Sequence, residues 1–117
     1  MNKINLEFTS EQAEALIPFF NNDLSFIYEW AEMIDESVDY REVKFLEECI
    51  TLLRDAARMK IDVVLVVESV YHNTLMRLSS NIALIRERST TAKDFDFLLD
   101  INEIITNGYK KFDLEVK

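Results

Sequence analysis

The chain contains one histidine, His72, so acid–base or nucleophilic chemistry that depends on an imidazole would have to use it. Glu68 lies four residues earlier, which on a helix places the two side chains one turn apart and within hydrogen-bonding reach. The same spacing suits a structural pair, with Arg54 or Arg58 as other partners for Glu68, and we expect the structural role. Asn102 falls on an apolar stripe, where it meets a polar neighbour, fixes register or lines an oligomer interface.

Other catalytic and metal-binding patterns are weak in this sequence. The single cysteine, Cys49, has no neighbouring histidine and lies on the flank of a predicted helix, as a core-filling cysteine does. One glycine in 117 residues leaves no material for a phosphate-binding loop, and the acids from Asp94 to Glu103 lack the glycine of a calcium-binding loop. We therefore expect no enzymatic activity, no cofactor and no metal site. A lone cysteine favours a reducing, cytoplasmic compartment.

Residues 24–38 carry the most informative surface. If they form a helix, an apolar stripe lies beside the core positions and an acidic stripe lies beyond it. The six residues of these stripes are Phe26, Trp30, Met33, Glu29, Glu32 and Glu36. No Lys or Arg lies three or four positions away to neutralise the acids. Because aromatic residues are enriched at binding hot spots, these six are the candidate partner-binding residues. The alternative is that Trp30 packs under Phe19 or Phe20.

The elements that would position these side chains are mostly helical. One Gly and one Pro are too few for the turns of a β-sandwich or barrel. Thr9 and Gln12 match a capping box, which predicts a helix over 10–20 that its proline kinks or stops. A turn at 21–23 then leads to a second helix over 23–37.

The middle of the chain predicts a helix over 40–59, opened by a capping box at Asp39, and a central helix over 61–88. The first half of the central helix is apolar on all sides, so it would have to be covered on all sides. One continuous helix over 40–88 stays an alternative, because no Gly or Pro separates the two. The β-branched run 63–67 could instead form a buried strand. We favour a helix because spacings of three and four continue past the run.

The last helix should end at Gly108, since glycine commonly follows a helix. Alternating apolar residues near both ends, 4–8 and 112–116, predict a two-strand ribbon. The predicted fold class is therefore all-α or mainly α. It is a bundle of four to five helices around a central helix near 61–88, with a small ribbon from the termini, in a single domain over 1–117.

The net charge of −9 is concentrated at one end, because residues 1–39 carry nine acids and one lysine. Such a surface repels nucleic acid and anionic membranes and attracts basic protein surfaces. No apolar run reaches the length of a membrane span, and the first residues do not form a signal peptide. We expect a basic protein surface as the partner, with no direct nucleic acid and no membrane. Solubility alone is the other explanation of the charge.

These features favour a small acidic helical protein-binding module that inhibits or antagonises another protein by occupying a basic surface, such as a nucleic-acid-binding cleft. By charge and size alone it is comparable to nuclease-immunity proteins and phage-borne anti-defence proteins. A nucleic-acid mimic is a special case, which needs carboxylates spaced like phosphates. The alternative is a structural or regulatory homo-oligomer, with a homodimer seam on residues 61–88 or on the aromatics of 24–38.

Overall fold

The computed structural model describes residues 2–88 and 91–115, without the side chains of residues 92 and 113–115. The elements in chain order are β1 (Lys3–Phe8), α1 (Ser10–Met33), α2 (Tyr40–Met59), β2 (Val63–Glu68), a 3-10 turn (Ser69–Tyr71), α3 (His72–Glu87) and α4 (Ala92–Glu115). The predicted mainly helical class, with four helices and a small two-strand antiparallel ribbon, is confirmed for these residues.

The chain forms two compact units. One consists of Met1–Phe8 and Val64–Lys117 and contains β1, most of β2, α3 and α4, while the other consists of Thr9–Val63 and contains α1 and α2. The expectation of a single domain over residues 1–117 stays a prediction. None of the helices in the described ranges is long and apolar enough to cross a lipid bilayer.

α1 is one helix of 24 residues where the sequence predicted two shorter ones. The Gln12 backbone N–H donates to the Thr9 hydroxyl (3.2 Å), and the Thr9 N–H donates to the Gln12 side-chain oxygen (2.9 Å), which completes the predicted capping box. The predicted turn at 21–23 is wrong. Pro18 lies on the exposed face, where water can satisfy the carbonyl group that its missing N–H leaves free. The buried positions continue past it without a break: Ala13, Leu16, Phe20, Asp23 and Ala31.

α1 ends at Met33, before the predicted end at residue 37. The Glu36 N–H donates to the Ala31 carbonyl (3.0 Å) and the Asp35 N–H donates to the Glu32 carbonyl (3.3 Å), which are the two bonds of a Schellman motif. Asp35 takes the left-handed conformation of this motif at φ 54°, where glycine is usual. Aspartate tolerates this conformation better than most residues, so the helix can end here without a glycine.

α2 begins after Asp39, whose carboxylate accepts hydrogen bonds from the backbone N–H groups of Arg41 (3.0 Å) and Glu42 (3.4 Å). α1 and α2 pack against each other as a helix hairpin. The buried side chains of α2 are Val43, Phe45, Leu46, Cys49, Ile50, Leu53 and Ala56. α2 ends at Met59 and Lys60 adopts a left-handed conformation, so the alternative of one continuous helix over 40–88 is wrong.

The run at 63–67 lies in a strand, so the predicted helix over 61–88 is wrong in its first half. β-branched side chains favour extended backbone when one face of the strand is buried. Burial alternates along β2 with the two-residue period of a strand, because Val63, Leu65 and Val67 are buried while Val64 and Val66 are exposed. Within residues 61–88, the spacing of three and four corresponds to a helix only from His72, where α3 begins.

β2 pairs with β1 and not with the C-terminal residues. The Ser69 N–H donates to the Asn2 carbonyl (2.8 Å), which sets the antiparallel register. The pairs that follow are Ile4 with Val67 and Leu6 with Leu65. All four side chains are buried, and a slip of one residue would turn them to solvent, so burial holds the register in place.

α3 packs against α4, and α4 also packs against β1. α4 continues through Gly108 to Glu115, so the predicted helix end at Gly108 is wrong. Gly108 is buried, and a Cβ atom at this position would overlap Leu6 Cδ2 and lie 3.2 Å from Ile4 Cδ1. The glycine therefore allows the helix to approach the strand closely.

The predicted strand over 112–116 is also wrong. Residues 112–115 belong to α4, and Val116 lies outside the described residues. Phe112 is buried seven residues after Ile105, which is itself four residues after the buried Ile101. This helical spacing extends the face of α4 and outweighs the short alternating pattern at its end.

Candidate protein-interaction surface

The apolar stripe predicted on α1 is exposed. Phe26 exposes 46% of its surface, Trp30 51% and Met33 78%. The rings of Phe26 and Trp30 stack with 6.2 Å between their centroids and 19° between their planes. Because residues 10–33 form one helix, Trp30 cannot fold back under Phe19 or Phe20 on a separate helix. About half of each ring therefore stays available to a partner.

The stack follows from the helix that carries it. Side chains four residues apart lie one turn apart on the same face, so Phe26 and Trp30 meet, and Met33 follows in the last turn. Each ring limits the movement of the other. A pair that is already ordered loses less side-chain freedom when a partner covers it.

The acids lie beside this stripe and just beyond it. Glu29 and Glu32 are exposed on α1, and Glu36 is exposed after the Schellman turn. The predicted helical row of three carboxylates is therefore wrong for Glu36, because the helix ends before it. Asp35 adds an exposed carboxylate within the turn. Across residues 2–88 and 91–115, no Lys or Arg forms an ion pair with any of these carboxylates.

The position of these acids is electrostatically unfavourable in the isolated chain. The C-terminal end of a helix carries a partial negative charge, and the last turn of α1 holds no basic residue. Glu29 and Glu32 also repel each other at three residues apart. A cationic surface placed against this end of α1 would relieve both effects.

Sequence reasoning missed two apolar side chains near this end of the helix. Ile34, which would lie on the core face if the helix continued to residue 37 as predicted, is 40% exposed because it is the residue that caps the helix. Tyr40, the first residue of α2, is 77% exposed. No glycine marks the end of α1 in the sequence, because Asp35 takes the left-handed conformation in its place. The helix therefore ends at Met33 and Ile34 leaves the core face.

Glu68 and His72, the pair considered for acid–base chemistry, do not lie one turn apart on a helix. β2 ends at Glu68 and α3 begins at His72. The Glu68 side chain is exposed on the strand. The His72 ring meets Tyr109 and Phe112 edge-on, with 5.4 and 6.1 Å between ring centroids. His72 thus belongs to an aromatic cluster between α3 and α4.

Cys49 and Asn102 also occupy structural positions. Burial and the neighbouring Glu48 charge raise the pKa of the Cys49 thiol to about 12, so little thiolate forms near neutral pH. Asn102 accepts a hydrogen bond of 2.7 Å from the Ser79 hydroxyl, which joins α4 to α3. Within the part of the chain that the structure describes, no three His, Cys, Asp or Glu residues are grouped so that they could hold a metal ion.

The six candidate partner-binding residues are all exposed, and five of them lie on the C-terminal half of α1. The sixth, Glu36, is placed by the turn that ends the helix. Comparison of the chain with protein-family models, with curated proteins and with solved structures found no match.

Proposed function

We propose that this chain is a protein-binding module that occupies a basic surface of another protein and acts there as an inhibitor or antagonist. The observation that supports it most directly is the exposed Phe26–Trp30 stack beside carboxylates that no basic side chain in the described ranges neutralises. An apolar anchor next to a charged rim is the usual layout of an interface hot spot.

Burial of the apolar stripe would supply the affinity. An aromatic side chain offers about 150–250 Å² to a partner, so the half-exposed rings of Phe26 and Trp30 each leave roughly 75–125 Å² to be buried. At about 25 cal/mol per Å² this corresponds to about 2–3 kcal/mol for each ring, before the costs of association. Met33 is more exposed than either ring and adds an adaptable contact.

The carboxylates would supply steering and choice of partner. Exposed charges act over about 8 Å at physiological ionic strength, so Glu29, Glu32 and Glu36 attract a basic surface before contact. The same field repels nucleic acid and anionic membranes, and direct binding to either is not part of the proposal. A basic cleft that binds nucleic acid is the kind of target surface that this field favours. The proposal needs no cofactor, metal or catalytic residue, and it places the protein in the cytoplasm.

Affinity capture from a lysate of the native host tests the proposal. Tagged wild-type protein is compared with the double variant Trp30→Ala/Glu29→Lys, and circular dichroism checks that both are folded. We expect the wild type to capture a basic protein that the double variant does not. Rising salt should weaken this capture, because the carboxylates that attract the partner are exposed and are screened by salt.

A matched control makes the same charge reversal and also shortens an exposed apolar side chain, on another face. Leu52→Ala/Glu48→Lys alters α2, where Leu52 is 47% exposed, and the control should keep the partner. Capture by the folded Trp30→Ala/Glu29→Lys variant at the wild-type level would show that the α1 surface is not the binding site. Equal loss in both double variants would show that net charge alone holds the partner.

The second candidate is a structural or regulatory homo-oligomer without catalytic activity. It is favoured by a separate observation, since Val64 and Val66 expose 45% and 56% of their surfaces on β2. Light scattering distinguishes the two candidates. A monomer at all accessible concentrations fits the binding module alone, whereas a reversible dimer fits the homo-oligomer.

A further inference from the structure

The ribbon formed by β1 and β2 has two open edges, because the sheet has two strands in the described chain. In an antiparallel pair, alternate residues direct their backbone N–H and C=O groups at the partner strand, and the residues between them direct theirs away. The bond between the Ser69 N–H and the Asn2 carbonyl shows which residues face inward. Val64, Val66 and Glu68 therefore direct their backbone groups outward from β2, while Lys3, Asn5 and Glu7 do so from β1.

The two edges differ in their side chains. Natural sheets block unwanted pairing at an edge with lysine, proline, bulges or very short strands. The β1 edge follows this rule, since its outward residues are Lys3, Asn5 and Glu7. The β2 edge has six residues without a lysine or a proline, and its outer face exposes Val64 and Val66. A β-branched run of low charge is the type of segment that pairs with another strand.

We propose that the open edge of β2 pairs with β2 of a second copy of this chain, antiparallel about Val66, to form a four-stranded sheet. The inference rests on the homo-oligomer candidate and is independent of the α1 surface. In this register Val66 lies opposite its own copy, and Val64 lies opposite Glu68 of the second copy. All three outward-facing residues find backbone partners, which makes about six inter-chain hydrogen bonds.

Charge selects this register over its neighbour. Pairing about Leu65 would also keep buried residues on one face, but it would place Asp62 directly opposite Glu68 of the second copy, twice in each dimer. Pairing about Val66 separates these carboxylates. It also continues the buried row, because Leu65 then lies opposite Val67 of the second copy. In this register the edge therefore matches a second copy of itself in both backbone groups and buried row.

The dimer should be reversible. A few valines and one row of backbone hydrogen bonds bury less than the roughly 800 Å² a side of a standard interface. Each copy also carries a net charge of −9, so the two copies repel each other at low salt. Added salt should strengthen this dimer, whereas it should weaken the binding of a basic partner to α1.

Sedimentation velocity from about 1 µM to about 1 mM, at low and high salt, tests the dimer. Val66→Lys should weaken association at least about tenfold, because it places two lysines opposite each other. Asn5→Lys is the matched control, since residue 5 lies opposite Val66 on the same outer face but at the other edge, and it should dimerise like the wild type. Val66→Pro is a second variant that should also weaken association, because the N–H that it removes faces the second copy. It should leave the ribbon intact, because this N–H does not contribute to the pairing with β1.

Hydrogen exchange gives a site-specific readout of the same proposal. The amides of Val64, Val66 and Glu68 should become protected as the concentration rises, while those of Leu65 and Val67 should be protected at every concentration. A wild type that stays monomeric to about 1 mM, or equal weakening by Val66→Lys and Asn5→Lys, would overturn the proposal. A dimer that survives Val66→Lys but is lost in Trp30→Ala would place the seam on α1 and would overturn it as well.

Discussion

Replacing Gly108 with alanine tests how closely α4 approaches β1. Two terms favour the alanine: a glycine inside a helix costs about 1 kcal/mol relative to alanine, and a buried methyl group contributes about 0.8 kcal/mol. Against them, the new Cβ atom overlaps Leu6 Cδ2 and lies 3.2 Å from Ile4 Cδ1. Leu6 and Ile4 expose only 2% and 3% of their surfaces, so neither side chain can swing into solvent.

The overlap should outweigh the two favourable terms. Overpacking a core typically costs about 1–3 kcal/mol, and an overlap with a confined leucine belongs near the upper end of that range. Gly108→Ala should therefore lower the free energy of unfolding by about 1 kcal/mol. In a Leu6→Ala background the overlapping atom is absent, and the same substitution should raise the free energy of unfolding by about 2 kcal/mol, the sum of the two favourable terms.

Urea unfolding of the wild type, the two single variants and the double variant measures this double-mutant cycle. Leu6→Ala alone should cost about 2–5 kcal/mol, because it removes a buried leucine side chain. The coupling between the two substitutions should be about 3 kcal/mol and favourable, which is the cost of the overlap that Leu6→Ala removes. If Gly108→Ala has the same sign and size in both backgrounds, the proposed contact between the strand and this turn of α4 is refuted.

Three further predictions concern other parts of the molecule. Asp35→Gly should raise the free energy of unfolding by about 1 kcal/mol, because glycine adopts the left-handed conformation at φ 54° without strain; a loss in urea unfolding would contradict the Schellman assignment. Because the pKa of the Cys49 thiol is raised from 9.0 to about 12 in the folded state, the thiol ionises more easily in the unfolded chain. Its contribution to the free energy of unfolding is therefore fully present below pH 9 and is lost as the pH rises towards 12. Cys49→Ala should therefore lose less stability than the wild type between these pH values, and parallel losses would argue against a buried thiol. Trp30 is the only tryptophan, and relative to a free neutral tryptophan amide its fluorescence should be quenched more by caesium than by iodide, an order that Glu29→Lys should weaken. Equal quenching by both ions, each taken relative to the free compound, would show that the carboxylates exert no local field.

The starts of α1 and α2 could be predicted from the sequence because capping is local. Thr9 with Gln12, and Asp39 with the two N–H groups after it, form the hydrogen bonds that their spacing indicates. The shared face of Phe26 and Trp30 could be predicted for the same reason, since four-residue spacing along a helix requires no knowledge of the rest of the fold.

The errors arose where distant segments decide the structure. The valines at 63–67 form a strand because β1, more than fifty residues earlier in the chain, pairs with them. Gly108 marks a close approach between α4 and that strand, which no pattern within α4 reveals. Pro18 does not stop the helix, because its cost on a solvated face is small compared with the stabilisation from an unbroken buried stripe.

The strand β1 and the rest of its unit are separated in the chain by the α1–α2 hairpin. On the ribosome β1 is synthesised well before β2, so it has no strand to pair with until the hairpin is complete. The hairpin depends on near neighbours in the chain and can form in the meantime. Truncation or tagging at the first eight residues should therefore disturb the unit that contains β1, β2, α3 and α4, because it exposes the site on α4 where Gly108 contacts β1. The caps of α1 and α2 should stay formed.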